Sequence, residues 1–170
     1  MSTVNPTLQA RIERIFTKVV ADAKAVGVPH GPVASVKVCH RRNEVGVCKA
    51  RRDGLFEIAF SEVFAELDDR DVADTLMHEL IHTCPGAFNH GPVFKRWMHR
   101  VNLHGYRVTV AEYSKAAQAM RSADIAASGD EVILVCDCGC RFVKSRRTKV
   151  AQHPGNYLCR RHRRPLALAQ

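Results

Sequence analysis

The stretch that decides this sequence is His78-Glu79-Leu80-Ile81-His82, an H-E-x-x-H pattern inside a predicted helix over Asp69–Thr83. Histidines four residues apart on a helix project from the same face, so both imidazoles can reach one ion. Leu76 and Leu80 predict that this helix is buried, and buried imidazoles need polar partners, which disfavours two incidental histidines. Imidazole suits zinc, and a catalytic zinc keeps one position open. The pattern therefore predicts a catalytic zinc site on this helix.

Glu79 stands one residue after the first histidine and points to the adjacent side of the helix. There its carboxylate can contact a metal-bound water instead of the metal. Zinc lowers the pKa of such a water toward neutrality, and the glutamate then takes its proton during attack on a peptide carbonyl. We interpret Glu79 as the general base of a zinc-dependent hydrolysis.

The third ligand of a catalytic zinc must come from outside the H-E-x-x-H pattern. His90 is the best candidate, because it follows His82 after seven intervening residues and directly precedes Gly91-Pro92, which should open the next helix. His99 and His104 are the alternatives, and their ordinary role is that of polar surface or supporting residues.

On both sides of this motif, the sequence contains patterns that are typical of helices and of strands. Apolar residues at helical spacing predict further helices, and short β-branched runs between basic turns predict strands. The predicted helices cover 7–26, 92–103 and Tyr113–Ala127, and the predicted strands cover Ala34–Cys39, Gly46–Ala50 and Glu57–Phe60. Ser128-Gly129-Asp130 is the predicted boundary before a short β-rich module, in which Arg141–Val150 is expected to form two basic strands.

A second metal site is predicted near the end of the chain. Cys136 and Cys138 form one ligand pair, and Cys159 and His162 form another about twenty residues later, which suits a closed structural zinc site. Cys140 is a rival for either member of the first pair. A module of ~35 residues has too little core to fold without such a site. The alternative is a cluster of free thiols without a metal.

The positive charge is concentrated in the same module. The whole chain carries 26 basic and 17 acidic residues, a net charge of +9, and from Cys136 to Gln170 nine basic residues face one acid, a net +8. Such a distribution predicts a polyanionic partner, with DNA the first candidate and a merely solubilising tail the alternative. The predicted nucleic-acid contacts are Arg146, Arg147, Lys149, Arg160, Arg161, Arg163 and Arg164.

The composition excludes several protein classes. Apolar residues make up 46% of the chain and charged residues 25%, as in globular proteins and unlike disordered ones. No stretch approaches the ~20 apolar residues that cross a bilayer, and the first residues lack the basic and apolar regions of a secretory signal. We expect a cytoplasmic protein, with nucleoid association also compatible, that is neither secreted nor a membrane partner.

The motifs together resemble those of the SprT-like zinc metalloproteases, the family of the bacterial SprT and eukaryotic Spartan type. The similar segments are His78–His82, His90-Gly91-Pro92-Val93-Phe94, Trp97–Asn102, and the strand residues Asn43-x-x-Gly46-x-Cys48 and Glu57–Ser61. The resemblance implies zinc bound by His78, His82 and His90, with Glu79 catalytic. The loop Thr83–Asn89 is shorter than in the family.

The same resemblance implies an α+β fold and a substrate class. It implies a zincin-like protease domain over 1–129, with helices packed on a small mixed sheet, and a basic zinc ribbon over 130–170 whose first ligand pair is Cys-x-Cys. The implied cofactors are one catalytic and one structural zinc ion. The implied substrates are proteins bound or crosslinked to DNA, and an extended substrate is expected to pair with a strand edge near Glu57–Phe60.

Two other functions fit parts of the sequence. One is a non-proteolytic, zinc-containing nucleic-acid-binding protein, which Glu79 disfavours because a structural site needs no base. The other is a metal-dependent hydrolase of something other than protein. Tyr106, Tyr113 and Arg100 are candidates for stabilising an oxyanion, and the sequence does not choose among them.

Overall fold

The structure is a computed structural model that describes residues 6–41, 44–110, 115–146, 148–159 and 161–169. The chain forms two compact units, Met1–Gln118 and Ala119–Gln170. The division falls inside the helix Lys115–Ala127, whereas the sequence suggested Gly129 as the boundary. No helix among the described residues is both long enough and apolar enough to cross a membrane.

The first unit begins with helix α1, Pro6–Ala25, whose buried face follows the helical spacing in the sequence: Leu8, Ile12, Ile15, Val19 and Ala23. Gly27 ends the helix in a left-handed conformation (φ 74°), which a residue with a side chain adopts only with strain. Arg11 donates hydrogen bonds to the carbonyls of Ala65 and Leu67, both at 2.6 Å, and so ties α1 to the segment that precedes the next helix.

Three strands form a mixed sheet in this unit: β1 (Val33–Cys39), β2 (Gly46–Ala50) and β3 (Phe56–Ser61). Their order is β1-β3-β2, with β1 parallel and β2 antiparallel to β3. The predicted strands are confirmed, but β3 is the central strand, so the expectation of substrate pairing at Glu57–Phe60 is wrong. Both hydrogen-bonding edges of β3 are occupied, and the accessible edges belong to its neighbours.

Helix α2 (Asp69–His82) carries the H-E-x-x-H pattern, as predicted. The Asp68 side chain accepts a hydrogen bond from the Asp71 amide at 2.7 Å, which satisfies a free donor at the helix start. The face that begins with Val72 and Leu76 is buried together with His78 and Glu79. Helix α3 (Pro92–Asn102) follows, with Pro92 in its first turn and Phe94 and Val101 buried.

The second unit contains most of helix α4 (Lys115–Ala127) and a small antiparallel sheet. Its strands β4 (Glu131–Val135), β5 (Arg141–Ser145) and β6 (Ala167–Leu168) lie in the order β5-β4-β6. The core is small and consists of Leu134, Cys136, Cys159 and Leu166, with Cys140, Phe142 and Val150 packed against it.

One element of this unit differs from the sequence-based prediction. Of the two basic strands expected over Arg141–Val150, only β5 forms, and the chain then turns into the short helix α5 (Lys149–Gln152). Thr148 explains the difference, because its side chain accepts a hydrogen bond from the Ala151 amide and caps this helix.

Candidate metal centre

Three histidines meet at one point in the first unit. The Nε2 atoms of His78 and His82 are 3.1 Å apart, those of His82 and His90 are 3.1 Å apart, and those of His90 and His78 are 3.0 Å apart. Nitrogens bound to one tetrahedral zinc at ~2.0–2.1 Å lie roughly 3.3 Å apart, so the donor set fits such an ion. Three acceptor nitrogens facing one another this closely repel unless a cation lies between them. These three histidines can therefore hold a metal.

Backbone carbonyls fix the orientation of two of these rings. His78 Nδ1 donates to the carbonyl oxygen of Thr109 at 2.9 Å, and His82 Nδ1 donates to that of Ala87 at 3.0 Å. A carbonyl only accepts, so each Nδ1 carries the proton and each Nε2 presents its lone pair to the common point. Neither contact has a sequence signal, because every residue offers the same carbonyl.

The surroundings of His78 and His82 keep these two imidazoles neutral. Burial and then the neighbouring His82 and His90 lower the pKa of His78 to about 3, against a smaller opposing effect of the hydrogen bond to Thr109. Burial also lowers the pKa of His82. Metal binding requires neutral imidazole, so these shifts favour it at neutral pH.

The ring of Phe94 supports all three histidines from within the core. Its centroid lies 4.8 Å from that of His78 and 4.7 Å from those of His82 and His90. Phe94 is fully buried on α3. Because His90 directly precedes α3 and Phe94 lies in its first turn, α3 and α2 hold the three imidazoles against one apolar base.

Glu79 is buried beside the histidines and helps to line a small cleft of about 130 Å³. The other lining residues are Glu44, Gly46, Val47, Cys48, His82 and Phe88. Strand β2 passes very close to the glutamate, since a Cβ on Gly46 would lie 2.9 Å from Glu79 Cγ. Burial and the nearby Glu79 charge raise the pKa of Cys48 to about 12, so its thiol stays neutral.

The alternative ligands lie elsewhere in the unit. His99 is exposed on α3 and belongs to no metal-binding group among the described residues. His104 lines a separate cleft of about 530 Å³ together with Tyr106. The Tyr106 hydroxyl donates to Asp22 at 2.7 Å, and this bond together with burial raises the pKa of Tyr106. Arg100 donates to the carbonyl of Val26.

These bonds commit Tyr106 and Arg100 to structural partners, so neither is carried forward as an oxyanion stabiliser. Tyr113, the remaining candidate, lies outside the described residues.

The second unit brings together another donor set. The ligand atoms of Cys138, Cys140, Cys159 and His162 lie within 4.8 Å of one another. Donors around a tetrahedral zinc with Zn–S bonds of ~2.3 Å are roughly 3.8 Å apart, so this set also fits. A hydrogen bond with Cys136, first among several thiol contacts, lowers the pKa of Cys138 to about 7. A thiolate is therefore accessible at neutral pH, as metal binding requires.

Cys136 is placed differently from the sequence-based expectation, which paired it with Cys138. It lies in the apolar core with Leu134 and Leu166, 3% exposed, and is not part of the four-residue group. Burial alone does not separate Cys136 from this donor set, because Cys159 lies in the same core and the Cys136 thiol hydrogen-bonds with those of Cys138 and Cys159. The arrangement favours the alternative in which Cys140 takes the place of Cys136.

Most of the basic residues predicted to contact nucleic acid are exposed. Arg146, Lys149, Arg161, Arg163 and Arg164 all face solvent. Arg164 pairs with Asp137 at 3.3 Å, in a bridge whose two side chains are 61% and 67% exposed. Exposed pairs of this kind contribute little and are easily exchanged for another anion. Arg147 and Arg160 lie outside the described residues.

Comparison with known proteins identifies the family. The SprT-like family matches the chain over residues 12–114, which includes all three histidines and Glu79. The chain belongs to the SprT-like family. This SprT-like chain brings His90 into the histidine group despite the short loop Thr83–Asn89.

Three named relatives match part of the chain. The chain is 39% identical over 75 residues to the proteins named DNA-dependent metalloprotease SPRTN of Bos taurus, Rattus norvegicus and Mus musculus. The match covers 38% of this chain and 15% of the length of each relative. No solved structure gives a significant match.

Proposed function

We propose that this SprT-like protein is a zinc-dependent endopeptidase in which His78, His82 and His90 hold the catalytic ion and Glu79 is the general base. The observation that carries the proposal is the triangle of Nε2 atoms, 3.0–3.1 Å on each side, beside a buried carboxylate that lines the same cleft. A purely structural site has no use for that carboxylate.

The residues divide the chemistry between them. A zinc ion held by His78, His82 and His90 would supply a Lewis acid that acidifies a water molecule and polarises the scissile carbonyl. Glu79 accepts the proton of the attacking water and passes it to the leaving amine. The carbonyls of Thr109 and Ala87 hold the rings of His78 and His82 in the tautomer that faces the ion. Phe94 excludes water from the inner side of the site.

We infer that the substrate binds as an extended segment along the free edge of β2. Among the described residues no strand pairs with that edge, and Gly46 at its beginning approaches Glu79 more closely than any residue with a side chain could. A segment added there would pass the catalytic carboxylate with its backbone hydrogen-bonded to the strand. This assignment replaces the pairing at β3.

We further propose that the second unit binds a structural zinc through Cys138, Cys140, Cys159 and His162 and contacts DNA through its exposed basic residues. The net charge of +8 over Cys136–Gln170 supports DNA binding. The partial relatives are named DNA-dependent metalloproteases, which supports DNA-bound or DNA-crosslinked proteins as substrates. A polyanion that binds both enzyme and substrate raises their local concentration.

The test is to compare Glu79→Gln with Glu66→Gln, a matched change at an exposed position. Proteolysis of an unfolded protein is measured with and without DNA, and zinc content is measured in parallel. We expect Glu79→Gln to lose about 10²–10⁴-fold in turnover, because a positioned base contributes that much. It should keep its zinc, and Glu66→Gln should behave as the unsubstituted protein.

Substantial turnover by Glu79→Gln would refute its role as the base. The rival function, a non-proteolytic zinc-containing nucleic-acid-binding protein, predicts the same zinc content with no turnover by any variant. A hydrolase of another substrate class would likewise leave the unfolded protein intact.

A further inference from the structure

An aromatic side chain stands exposed at the edge of the histidine cluster. Phe88 is 58% exposed, and its ring centroid lies 6.4 Å from that of His82. It lines the cleft of about 130 Å³ that also contains Glu79, with Val47 and Cys48 of β2. A large apolar side chain therefore faces solvent at the place where the proposed reaction occurs.

The exposure of Phe88 does not come from a loose loop. On one side, the carbonyl of Ala87 accepts the His82 Nδ1 hydrogen bond at 3.0 Å, and the Ala87 amide donates to the Cys84 carbonyl at 3.0 Å. On the other side, the Asn89 carboxamide accepts a hydrogen bond from the Gly91 amide at 3.0 Å. The backbone of Ala87 is thus held by two hydrogen bonds and the Asn89 side chain closes a turn to Gly91, so the segment that carries the Phe88 ring is fixed beside the cleft.

The cleft presents both polar and apolar surface. Glu79, His82 and Glu44 are its polar lining, whereas Gly46 has no side chain and the neutral thiol of Cys48, on the same face of β2 as Gly46, packs like a small hydrophobe. The carboxylate of Glu44 is paired with Arg41 at 2.6 Å, which offsets its charge. The cleft is small, about 130 Å³, and the ring of Phe88 forms part of its lining.

We propose that Phe88, with Cys48, forms a specificity subsite that receives an apolar side chain of the substrate next to the scissile peptide bond. The proposal rests on the endopeptidase function and on substrate binding along β2, and it deepens both by naming the side chain that the site selects. A segment paired with β2 turns alternate side chains to the same side, and one of them meets the ring of Phe88.

The experiment profiles cleavage sites in a peptide library of mixed sequence by mass spectrometry. The zinc-loaded, full-length protein should show enrichment of apolar residues at one position within two residues of the cleaved bond. Phe88→Ala should reduce the apolar-over-polar ratio at that position about tenfold or more, since apolar subsites discriminate on this scale. Phe88→Leu should keep aliphatic residues and lose aromatic ones. Leu103→Ala, a matched change at an exposed site away from the cleft, should leave the profile unchanged.

A second measurement separates this proposal from the proposed function. Binding of fluorescent peptides from the library is measured by polarisation on the Glu79→Gln background, with and without Phe88→Ala, and zinc content is determined for each variant. Weaker binding of apolar peptides by the double variant, with zinc retained, supports the subsite even if no cleavage is detected. An unchanged preference in Phe88→Ala, or an equal loss for apolar and polar peptides, overturns it. Loss of zinc in both Phe88→Ala and Phe88→Leu also overturns the proposal, because it would show that the ring stabilises the segment between His82 and His90 and not a substrate side chain.

Discussion

The two candidate metal groups of this chain are set in units of very different construction. The histidine group lies in a unit with a full core, where α1, α2 and α3 bury side chains as large as Phe60, Phe64 and Phe94. The cysteine-rich group lies in a unit whose core cluster, among the described residues, consists of Leu134, Cys136, Cys159 and Leu166, and Cys159 is itself one of the proposed ligands. The first unit thus has packing that does not depend on metal, whereas packing and metal binding coincide in the second. Zinc is therefore expected to serve catalysis in the first unit and folding in the second.

Removing zinc should give the largest contrast between the units. Mild chelation is expected to take the catalytic ion first, because three neutral imidazoles and an open position hold it less firmly than thiolates do. Exhaustive chelation should then unfold the second unit, since structural zinc supplies about 10–16 kcal/mol in small domains. The first unit should stay folded. Metal analysis and the NMR spectrum of each unit report the two events.

Two single substitutions provide the matched form of this test. His90→Ala should lose one zinc per chain without unfolding, while Cys159→Ser should lose the other zinc and the dispersed signals of the second unit. His99→Ala, an exposed histidine, is the control. A folded second unit in fully zinc-free protein would show that its four-residue core suffices, and one zinc in the unsubstituted protein would contradict the two-site assignment.

The two units also differ in net charge, because most of the positive charge lies in the second unit. DNA binding should therefore depend on the second unit. Changing Arg161, Arg163 and Arg164 together to Gln should lower the slope of log affinity against log salt by about 2 to 3, since each phosphate contact contributes ~0.9. Between 50 and 200 mM salt this corresponds to roughly a 40-fold smaller loss of affinity. The measurement is a salt titration with fluorescent DNA.

The control variant for this salt titration changes three basic residues of the first unit, Lys24, Lys95 and Arg96, to Gln. An equal effect of the control would place the DNA contacts outside the second unit, or spread them over both. Truncation after Gly129 gives the same comparison by deletion and is expected to remove most of the affinity.

A smaller effect should follow from crowding the catalytic carboxylate. Gly46→Ala places a Cβ 2.9 Å from Glu79 Cγ and 3.1 Å from its Oε1, so the glutamate must shift. Misplacement of a catalytic group by about 1 Å costs up to 10²-fold, and we expect a loss of about tenfold in kcat with zinc content unchanged. Gly54→Ala, where a Cβ meets nothing within 4 Å, controls for the glycine itself. Gly54 has φ +80°, so this control also carries strain, and its effect should appear in stability and not in turnover.

The smallest predicted effect is a pH dependence confined to the first unit. The pKa of His78 is about 3 in the folded chain and about 6.5 when unfolded. Between these values only the unfolded chain binds the proton, so the free energy of unfolding of zinc-free protein should fall as pH falls, by up to about 1.4 kcal/mol per unit. Denaturation between pH 6.5 and 5.5 measures it. His78→Gln should flatten this dependence, and a slope that persists would assign it to other groups.

Sequence patterns were sufficient where local spacing carries the information. The spacing of His78 and His82 defines a helix face, and Pro92 marks the start of α3, so the helix and two ligands could be predicted. His90 was selected because it follows His82 after seven intervening residues and directly precedes Gly91-Pro92. The strands were also predictable, but their order in the sheet was not. The sequence of one strand does not show with which distant segment it forms hydrogen bonds.

The remaining features depend on tertiary placement. Cys136 and Cys140 are equivalent in the sequence, and only the tertiary positions of their sulfur atoms place Cys140 within the four-residue group and Cys136 beside it, in contact with Cys138 and Cys159. Because phenylalanine is a large apolar residue, Phe88 would be expected in the protein interior. Its exposure depends on the anchoring of Ala87 and Asn89, which involves contacts that no periodicity indicates.

The carbonyl oxygens of Thr109 and Ala87, which orient the rings of His78 and His82, belong to the main chain. Position 109 is exposed, and any residue encoded there supplies the same acceptor, so genetic drift at this codon can leave the tuning of the metal site untouched. Ala87 is fully buried, so a larger side chain there would disturb the packing around its carbonyl even though the acceptor itself is unchanged. In directed evolution, substitutions at 109 should therefore be permitted far more often than substitutions at 87, and more often than insertions or deletions beside either position, which move the carbonyls.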